Sequence, residues 1–344
     1  MSMGESSKTT VLSMMSGEPV SRVPTAPPFQ GFWALGVGRI PVINSIRKPL
    51  TAARAQMKVA SMCRFDAMEA SWDWLSPVEM HGSGVRIQER GDIITRNRLI
   101  TGPESLNHIE VPDPRDDYRA ISSSKAARLI VSELGDKKFL YSTLCSPFTL
   151  IGEVRGVEAL LLDLILQPDF ARDMLNMATD VIMEYCRFFC RVGVEGILLC
   201  DPTASGSLVS PEEFQKYTAP PIKHCMDVIR EEGCQPMTHI CGDTTELLDL
   251  IAEMGTTVFS FDNSVNLKKV SERVKGRMTL LGNVNPRNMQ DRNLNDVMAE
   301  SIECIKGAGD ARFILGVGDD ILMNTPVENV AAMSDASYSL ATKP

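Results

Sequence analysis

The sequence lacks the features that would direct a chain to a membrane or to nucleic acid. Its 344 residues contain no apolar run of about 18 residues, so a transmembrane helix is not expected. Positive charge is in deficit, because 35 lysines and arginines stand against 44 aspartates and glutamates. The resulting net charge of −9 argues against nucleic acid and anionic membranes as partners. No basic stretch followed by an apolar one opens the chain, so we predict no signal peptide and a cytoplasmic protein.

The cysteines form no legible disulfide framework. There are nine of them, an odd number, and they are scattered singly along the chain. This pattern indicates a reducing compartment. Most of the thiols are therefore expected to be small core residues.

Short apolar runs bounded by Gly, Pro, Asn or Asp predict eight β-strands. Segments of helical periodicity separate the later runs; one of them, 210–233, begins with a serine cap and ends at a glycine. This alternation predicts an α/β fold, a (β/α)8 TIM barrel, formed by one domain over 1–344. An open doubly wound sheet is the alternative, although no Gly-x-Gly-x-x-Gly motif follows the first run. The runs are 22–29, 66–73, 138–146, 196–201, 235–241, 256–262, 278–284 and 312–318.

One segment departs from the alternation of strands and helices. Residues 85–102 alternate apolar and polar side chains around an Arg-Gly-Asp sequence at 90–92. The pattern predicts a β-hairpin inserted after the second strand.

Polar residues end several predicted strands, where barrel enzymes place their active sites. His239 and Cys241 stand two residues apart, so in a strand both side chains face the same side. Asp201 and Asp319 end two further strands of the same rim. Because imidazole and thiolate favour zinc over magnesium or calcium, this set predicts a zinc site, with a purely structural His-x-Cys pair as the alternative.

Further candidates lie near the same rim. The candidate catalytic residues are Asp201, Glu79 and Asn283. Glu79 is a candidate proton partner, and Asn283 is expected to hydrogen-bond either a substrate or a neighbouring loop. The aromatic residues either cap the core or form a wall beside a substrate. The candidate substrate-binding residues are Phe29, Trp33, Trp72, Asp73 and Asp262.

Six segments together resemble the uroporphyrinogen decarboxylase superfamily, and the His-Ile-Cys-Gly element resembles its zinc-dependent corrinoid methyltransferases. The resemblance covers nearly the whole chain. It implies a TIM barrel that moves a methyl group between a small substrate and the cobalt of a corrinoid, with zinc as the metal. The segments are 17–24, 146–156, 201–214, 239–251, 280–286 and 324–330.

The corrinoid is expected on a separate partner protein. None of the four histidines stands in an Asp-x-His-x-x-Gly element, which would bind cobalamin in this chain. A homodimer is a candidate assembly, since barrels of this kind often pair.

The chain departs from the resembling methyltransferases at one ligand. They place a third zinc-binding cysteine after strand eight, shortly before a Thr-Pro pair. Here Asp319 stands at that place, ahead of Thr325 and Pro326. The resemblance thus implies a site of His239, Cys241 and Asp319, with Asp201 as a candidate fourth donor and loss of the metal as the alternative.

The exchange of a cysteine for an aspartate bears on the direction of methyl transfer. A carboxylate is a harder ligand than a thiolate, which favours polarising an oxygen over activating a thiol. We therefore expect a methyl ether or alcohol as methyl donor, that is, O-demethylation in anaerobic one-carbon metabolism. Methyl transfer to a thiol, of the coenzyme M type, is the alternative.

Two other readings stay open. A uroporphyrinogen decarboxylase would keep an arginine-rich segment after strand one to grip the substrate's carboxylates, but no arginine precedes Arg39 there. Asp73 could stand where that branch keeps its catalytic aspartate. A barrel without metal that serves as a binding partner is the non-enzymatic alternative.

Overall fold

A curled sheet of seven parallel strands forms the centre of the molecule in a computed structural model, which describes residues 6–82, 84–88 and 93–342. The order across the sheet is β1-β4-β5-β6-β7-β8-β9, so strands that follow one another along the chain lie side by side, apart from an inserted β2–β3 pair. The strands of the described residues are β1 Ala67–Ser71, β2 Val85–Ile87, β3 Ile93–Thr95, β4 Phe139–Cys145, β5 Gly196–Cys200, β6 Gln235–Ile240, β7 Val258–Phe261, β8 Thr279–Val284 and β9 Phe313–Val317.

Residues 24–26 close the ring between the last and first strands of this sheet. On one side, Leu315 N donates to Pro24 O at 2.9 Å and Ala26 N donates to Leu315 O at 3.0 Å. On the other side, Asp66 N donates to Thr25 O at 2.8 Å. The predicted (β/α)8 barrel is confirmed.

The first predicted strand, 22–29, is less regular than expected. It takes the eighth position of the barrel through isolated bridges, Thr25 with Leu315 and Phe29 with Asp320, without a continuous ladder. Its three prolines supply no backbone N–H, which explains the interruption. The other seven predicted strands are present within two residues at either end, because strands buried on both faces are apolar runs that the sequence displays directly.

The predicted hairpin contains an antiparallel pair in which Val85 faces Thr95 and Ile87 faces Ile93. Its predicted turn at 90–92 lies outside the described residues. Thr95 Oγ1 donates to a Glu153 carboxylate oxygen at 2.5 Å, which places the pair against the helix that follows β4.

Helices surround the barrel, and several of them begin at a residue whose side chain accepts a first-turn N–H, such as Ser146 from Thr149. Ser210 forms the predicted cap. None of the described helices is both long and apolar enough to cross a membrane. The helices are α1 Ser7–Ser16, α2 Gly31–Val37, α3 Val42–Arg47, α4 Pro49–Met62, α5 Tyr118–Leu134, α6 Pro147–Arg155, α7 Val157–Leu166, α8 Pro168–Cys190, α9 Pro211–Glu213, α10 Ala219–Glu231, α11 Leu248–Glu253, α12 Leu267–Val274, α13 Pro286–Asp291, α14 Leu294–Ala308 and α15 Val327–Ser339, with a π-helical turn at Phe214–Thr218 and 3-10 turns at Ser76–Gly82, Pro103–His108, Pro202–Ala204 and Thr245–Leu247.

Two apolar layers hold these elements together. The larger lies between the sheet and the surrounding helices. The smaller fills the barrel, where Leu198, Met237 and Ile314 meet Val11 and Met15 of α1. Helix α1 therefore closes one end of the barrel. The opposite end is formed by the carboxyl ends of the strands, where a functional site is expected.

A buried ion pair fixes the closing segment. Arg22 donates to both carboxylate oxygens of Asp66 at 2.6 Å, and Thr25 N donates to the same carboxylate at 2.9 Å. Asp66 is fully buried and the Arg22 side chain is 9% exposed. The carboxylate at the start of β1 thus ties the eighth position of the barrel to the first strand.

Replacing Asp66 with alanine is expected to lower the free energy of unfolding by about 3 kcal/mol or more, because it leaves the Arg22 guanidinium buried without its partner. Urea denaturation measures the loss. The matched control is Asp227→Ala, which removes an aspartate paired with Arg230 at an exposed surface; its midpoint should stay near that of the native protein. Equal losses in the two variants would contradict a special role for the closing ion pair.

Candidate metal centre

The structure brings together the three residues expected to hold a metal. His239 belongs to β6, Cys241 follows that strand, and Asp319 lies two residues beyond β9. His239 Nε2 lies 3.2 Å from Cys241 Sγ and 3.8 Å from Asp319 Oδ1. One ligand atom from each residue lies within 4.8 Å of the other two.

The His239 ring is held on two sides. Ser260, its register partner on β7, places Oγ 2.8 Å from Nδ1. The Phe29 ring stands perpendicular to the imidazole, with ring centroids 4.8 Å apart. Because Nδ1 is engaged by the serine, Nε2 is the nitrogen left for a metal. Sequence reasoning missed Ser260, although a single hydroxyl inside the apolar strand Val258–Phe261 was a readable signal.

A carboxylate shapes the turn that carries Cys241. Asp262 accepts hydrogen bonds from Gly242 N at 3.0 Å and from Ser264 N at 2.7 Å. Gly242 has a φ of +71°, and a Cβ there would lie 3.0 Å from Ser205 Oγ, so the turn requires glycine. Asp262 was expected to contact a substrate. In the structure its carboxylate holds the turn that carries Cys241.

The charges around the trio favour a bound cation. Burial lowers the pKa of His239, so the imidazole is neutral and keeps a free lone pair. Burial, followed by the negative charges of Asp319 and Asp262, raises the pKa of the Cys241 thiol well above its usual value. A divalent ion would offset the negative charges around the thiol and favour its ionised form.

The spacing of the donors also fits zinc. Tetrahedral zinc with nitrogen, sulfur and oxygen ligands separates its ligand atoms by about 3.3–3.7 Å. The two distances from His239 Nε2, 3.2 and 3.8 Å, bracket that range. One imidazole, one thiol and one carboxylate leave a fourth position for a substrate atom.

Asp201 is separate from the trio. Cys200, its neighbour, packs inside the barrel, and Asp201 faces outward to α6, where its Oδ1 accepts from Thr149 Oγ1 at 2.7 Å. Burial raises the Asp201 pKa to about 6. Asp201 is not among the three residues whose ligand atoms cluster, and its role as a fourth metal donor stays a prediction.

Asp73 and Glu79 belong to an ion-pair cluster at the start of α5. The Arg119 guanidinium is fully buried and donates to both Asp73 oxygens, with Nε at 2.9 Å from one of them. Glu79 accepts from Tyr118 Oη at 3.1 Å and lies 3.4 Å from Arg119 Nη1. Asp73, expected to contact a substrate, has both oxygens occupied by an arginine that sequence reasoning did not connect with it.

The remaining candidates also have local partners. Asn283 donates to Val265 O at 2.9 Å, the neighbouring-loop alternative of the two expected for it. Trp33 is fully buried and donates from Nε1 to Thr325 O at 2.8 Å, so it belongs to the core and does not line a substrate wall. Trp72 is 5% exposed and packs against Phe32. Of the three candidate aromatic residues, Phe29 is the one in ring contact with a metal ligand.

Glu69 is a buried carboxyl that sequence reasoning missed. It lies on β1, two residues from Ala67, which packs inside the barrel, so both face inward. Its oxygens accept hydrogen bonds from Thr143 Oγ1 at 2.7 Å, Gln30 N at 3.1 Å and Gly31 N at 3.0 Å. Burial raises its pKa from 4.5 to about 7. The lone carboxylate in an otherwise apolar run was its signal.

Comparison with known proteins gives a consistent picture. Residues 6–340 match the family model of uroporphyrinogen decarboxylase (URO-D). A methylcobamide:CoM methyltransferase, MtbA, of Methanosarcina mazei is 26% identical over 280 residues, which are 79% of each chain. A methylated-thiol–coenzyme M methyltransferase of the same organism is 30% identical over 190 residues, 55% of this chain and 50% of that protein.

Among solved structures, a methyltransferase from Methanosarcina mazei superposes with a TM-score of 0.88. The match covers 97% of this chain and 98% of that one at 22% sequence identity. At that identity the likeness establishes the shared fold.

The pH dependence of stability tests the environment of Glu69. Its pKa is raised in the folded state, so the folded protein binds more protons than the unfolded chain between pH 4.5 and about 7. Stability from this group is therefore fully present below pH 4.5 and is lost as the pH rises to about 7. Glu69→Gln removes the titration, so the native protein's free energy of unfolding minus that of the variant should fall by about 3 kcal/mol across this window. A difference that does not change with pH would contradict the raised pKa.

Proposed function

The chain belongs to the uroporphyrinogen decarboxylase (URO-D) family. Within this broad family, we propose that the protein is a zinc-dependent methyltransferase, which moves a methyl group between a small substrate and the cobalt of a separate corrinoid protein. The observation that carries this proposal is the cluster of His239, Cys241 and Asp319 at the carboxyl ends of the barrel strands. The printed names of the two Methanosarcina mazei relatives, which describe methyl transfer to coenzyme M, support it.

The decarboxylase alternative is disfavoured by charge. A porphyrinogen substrate carries several carboxylates, which need cationic partners at the barrel mouth. No arginine lies between Arg22 and Arg39, and Arg22 is committed to Asp66. The Asp73 carboxylate, the counterpart expected to act in that reaction, is neutralised by Arg119.

The chain's own residues prepare the site. Ser260 holds His239 Nδ1, and Asp262 holds the turn after Cys241, so the two ligands of β6 reach the mouth in fixed orientations. His239 is fully buried whereas the Asp319 side chain is 38% exposed, so a substrate approaches from the Asp319 side. Bound among these residues, zinc supplies Lewis acidity, which a carboxylate ligand preserves better than a second thiolate would.

The favoured methyl donor is a methyl ether or a methyl alcohol. The carboxylate at position 319 is the observation behind this choice, since harder ligation suits an oxygen leaving group. Methyl transfer to a thiol is the second candidate, favoured by the names of the two relatives. In either direction the second reactant is the corrinoid of a partner protein, and a homodimer stays a prediction.

The metal itself is tested by ligand removal. Cys241→Ser and His239→Ala should each abolish most zinc binding, because each removes one of the three clustered ligand side chains. Zinc content is measured by elemental analysis after expression with zinc, alongside thermal unfolding. Cys304→Ser is the matched control: this half-buried thiol lies near Asn283, away from the trio, and should keep full zinc.

Two outcomes would overturn the metal site. Full zinc in both ligand variants would place the metal elsewhere. A native protein with less than about 0.2 zinc per chain would favour the metal-free binding protein, since a specific zinc site of this kind binds tightly.

The direction of transfer is tested by Asp319→Cys. The substituted site would keep zinc but become more electron-rich, so demethylation of methoxylated compounds onto an added corrinoid protein should fall by about tenfold, which is about 1.4 kcal/mol of barrier. Methylation of thiols from methylcobalamin should rise. Both rates are measured with purified proteins, and Asp320→Asn, which alters the neighbouring carboxylate, serves as the control. A native protein that methylates thiols readily and accepts methyl from no methoxylated compound would leave the thiol direction as the function.

A further inference from the structure

Residues 29–31 join the metal centre to the buried carboxyl of Glu69. At one end, the Phe29 ring packs against the His239 ring with centroids 4.8 Å apart. The Phe29 backbone also bridges to Asp320, the neighbour of Asp319. One residue of this segment therefore touches both parts of the chain that supply the trio.

At its other end, the segment is anchored by Glu69. The backbone N–H groups of Gln30 and Gly31 donate to the same Glu69 oxygen, at 3.1 and 3.0 Å. The second Glu69 oxygen accepts from Thr143 Oγ1 at 2.7 Å. Hydrogen bonds of this kind are stronger than neutral ones when the carboxyl is ionised, and inside a fully buried site water does not replace them.

The packing at Gly31 leaves the segment no room to shift. A Cβ on Gly31 would lie 2.1 Å from Trp72 Cβ and 3.3 Å from a Glu69 oxygen. The chain passes these two side chains at a distance that only glycine allows. The position of Phe29, two residues earlier, follows from this constraint.

We propose that Glu69 is a positioning residue for the metal centre, holding the Gln30–Gly31 turn so that the Phe29 ring fixes the imidazole of His239. The inference rests on the proposed function only in taking His239 as a metal ligand. Ser260 restrains one ring nitrogen and the perpendicular Phe29 ring restrains the imidazole, so together they leave Nε2 directed at Cys241 and Asp319. All Glu69 oxygens are occupied by the protein, so it acts through Phe29 and not on a substrate.

Metal affinity tests the proposal with three single variants. Glu69→Ala removes the anchor and should weaken Zn²⁺ binding by about tenfold, the size of effect seen when residues behind a ligand are lost. Glu69→Gln should rescue it to within about threefold, because an amide oxygen accepts both backbone N–H groups. Thr143→Val is the matched control, since it removes the other hydrogen bond of Glu69 and leaves the turn anchored. Affinity is measured by chelator competition, and the visible absorption of bound Co²⁺ reports the ligand geometry.

A double-mutant cycle tests the route through Phe29. Phe29→Leu alone should weaken metal binding about as much as Glu69→Ala, and the double variant should be no weaker than either single one. Additive losses would overturn the proposal, and so would native affinity and an unchanged Co²⁺ spectrum in Glu69→Ala. If Glu69→Ala does not fold, Gly31→Ala displaces the same turn through a clash with Trp72.

A measurement without metal separates this inference from the proposed function. In protein with labelled histidine and phenylalanine, nuclear Overhauser contacts between the Phe29 and His239 rings should disappear in Glu69→Ala and persist in Glu69→Gln. That result upholds the positioning role even if the native protein binds no zinc, which would sink the proposed function alone. Contacts that persist in Glu69→Ala would overturn the positioning role whatever the metal content.

Discussion

The ion pair between Arg22 and Asp66 is the interaction on which the rest of the structure depends. It holds residues 24–26 in the gap between β9 and β1, where three prolines prevent a regular ladder from doing so. Once this segment is fixed, Pro27 and Pro28 carry the chain stiffly to the barrel mouth, and Phe29 arrives beside His239. The same eight consecutive residues, 22–29, therefore close the barrel and place Phe29 beside His239.

Sequence patterns predicted what is local and missed what depends on distant partners. The strands were legible because buried parallel strands are apolar runs, and His239, Cys241 and Asp319 followed from where those runs end. Asp201 was expected beside the metal, but one of its oxygens accepts from Thr149 of α6, a partner 52 residues earlier that no local pattern reveals. The partner of Asp73 is Arg119, on a helix 46 residues later, and no local pattern connects the two. Ser260 stood out as the single polar residue of its strand and Glu69 as the single carboxyl of its strand, but their roles depend on which strands and loops they meet.

The charges near Cys241 explain why this part of the barrel mouth favours a bound cation. Asp319, Asp262 and Asp320 all disfavour ionisation of the thiol, and burial adds to them. Without a positive ion, burial and these carboxylates keep the thiol in its neutral form. With a divalent ion, the same charges become ligands or neighbours of a ligand. Asp262 already has a second use, since it fixes the turn that presents the cysteine.

Two buried carboxyls, Asp73 and Glu69, show how one barrel can serve different chemistry within a family. A decarboxylase would need a free carboxylate facing the substrate after β1, yet Asp73 is neutralised by a fully buried arginine. That pairing neutralises the acidic group after β1, which favours the proposal that the metal trio is the reactive part of the described rim. Glu69 lies on the inner face of β1, where one of its oxygens accepts hydrogen bonds from the backbone of the segment that carries Phe29. In the positioning role proposed for Glu69, β1 supplies no catalytic acid but supports His239 of β6, three positions away around the barrel.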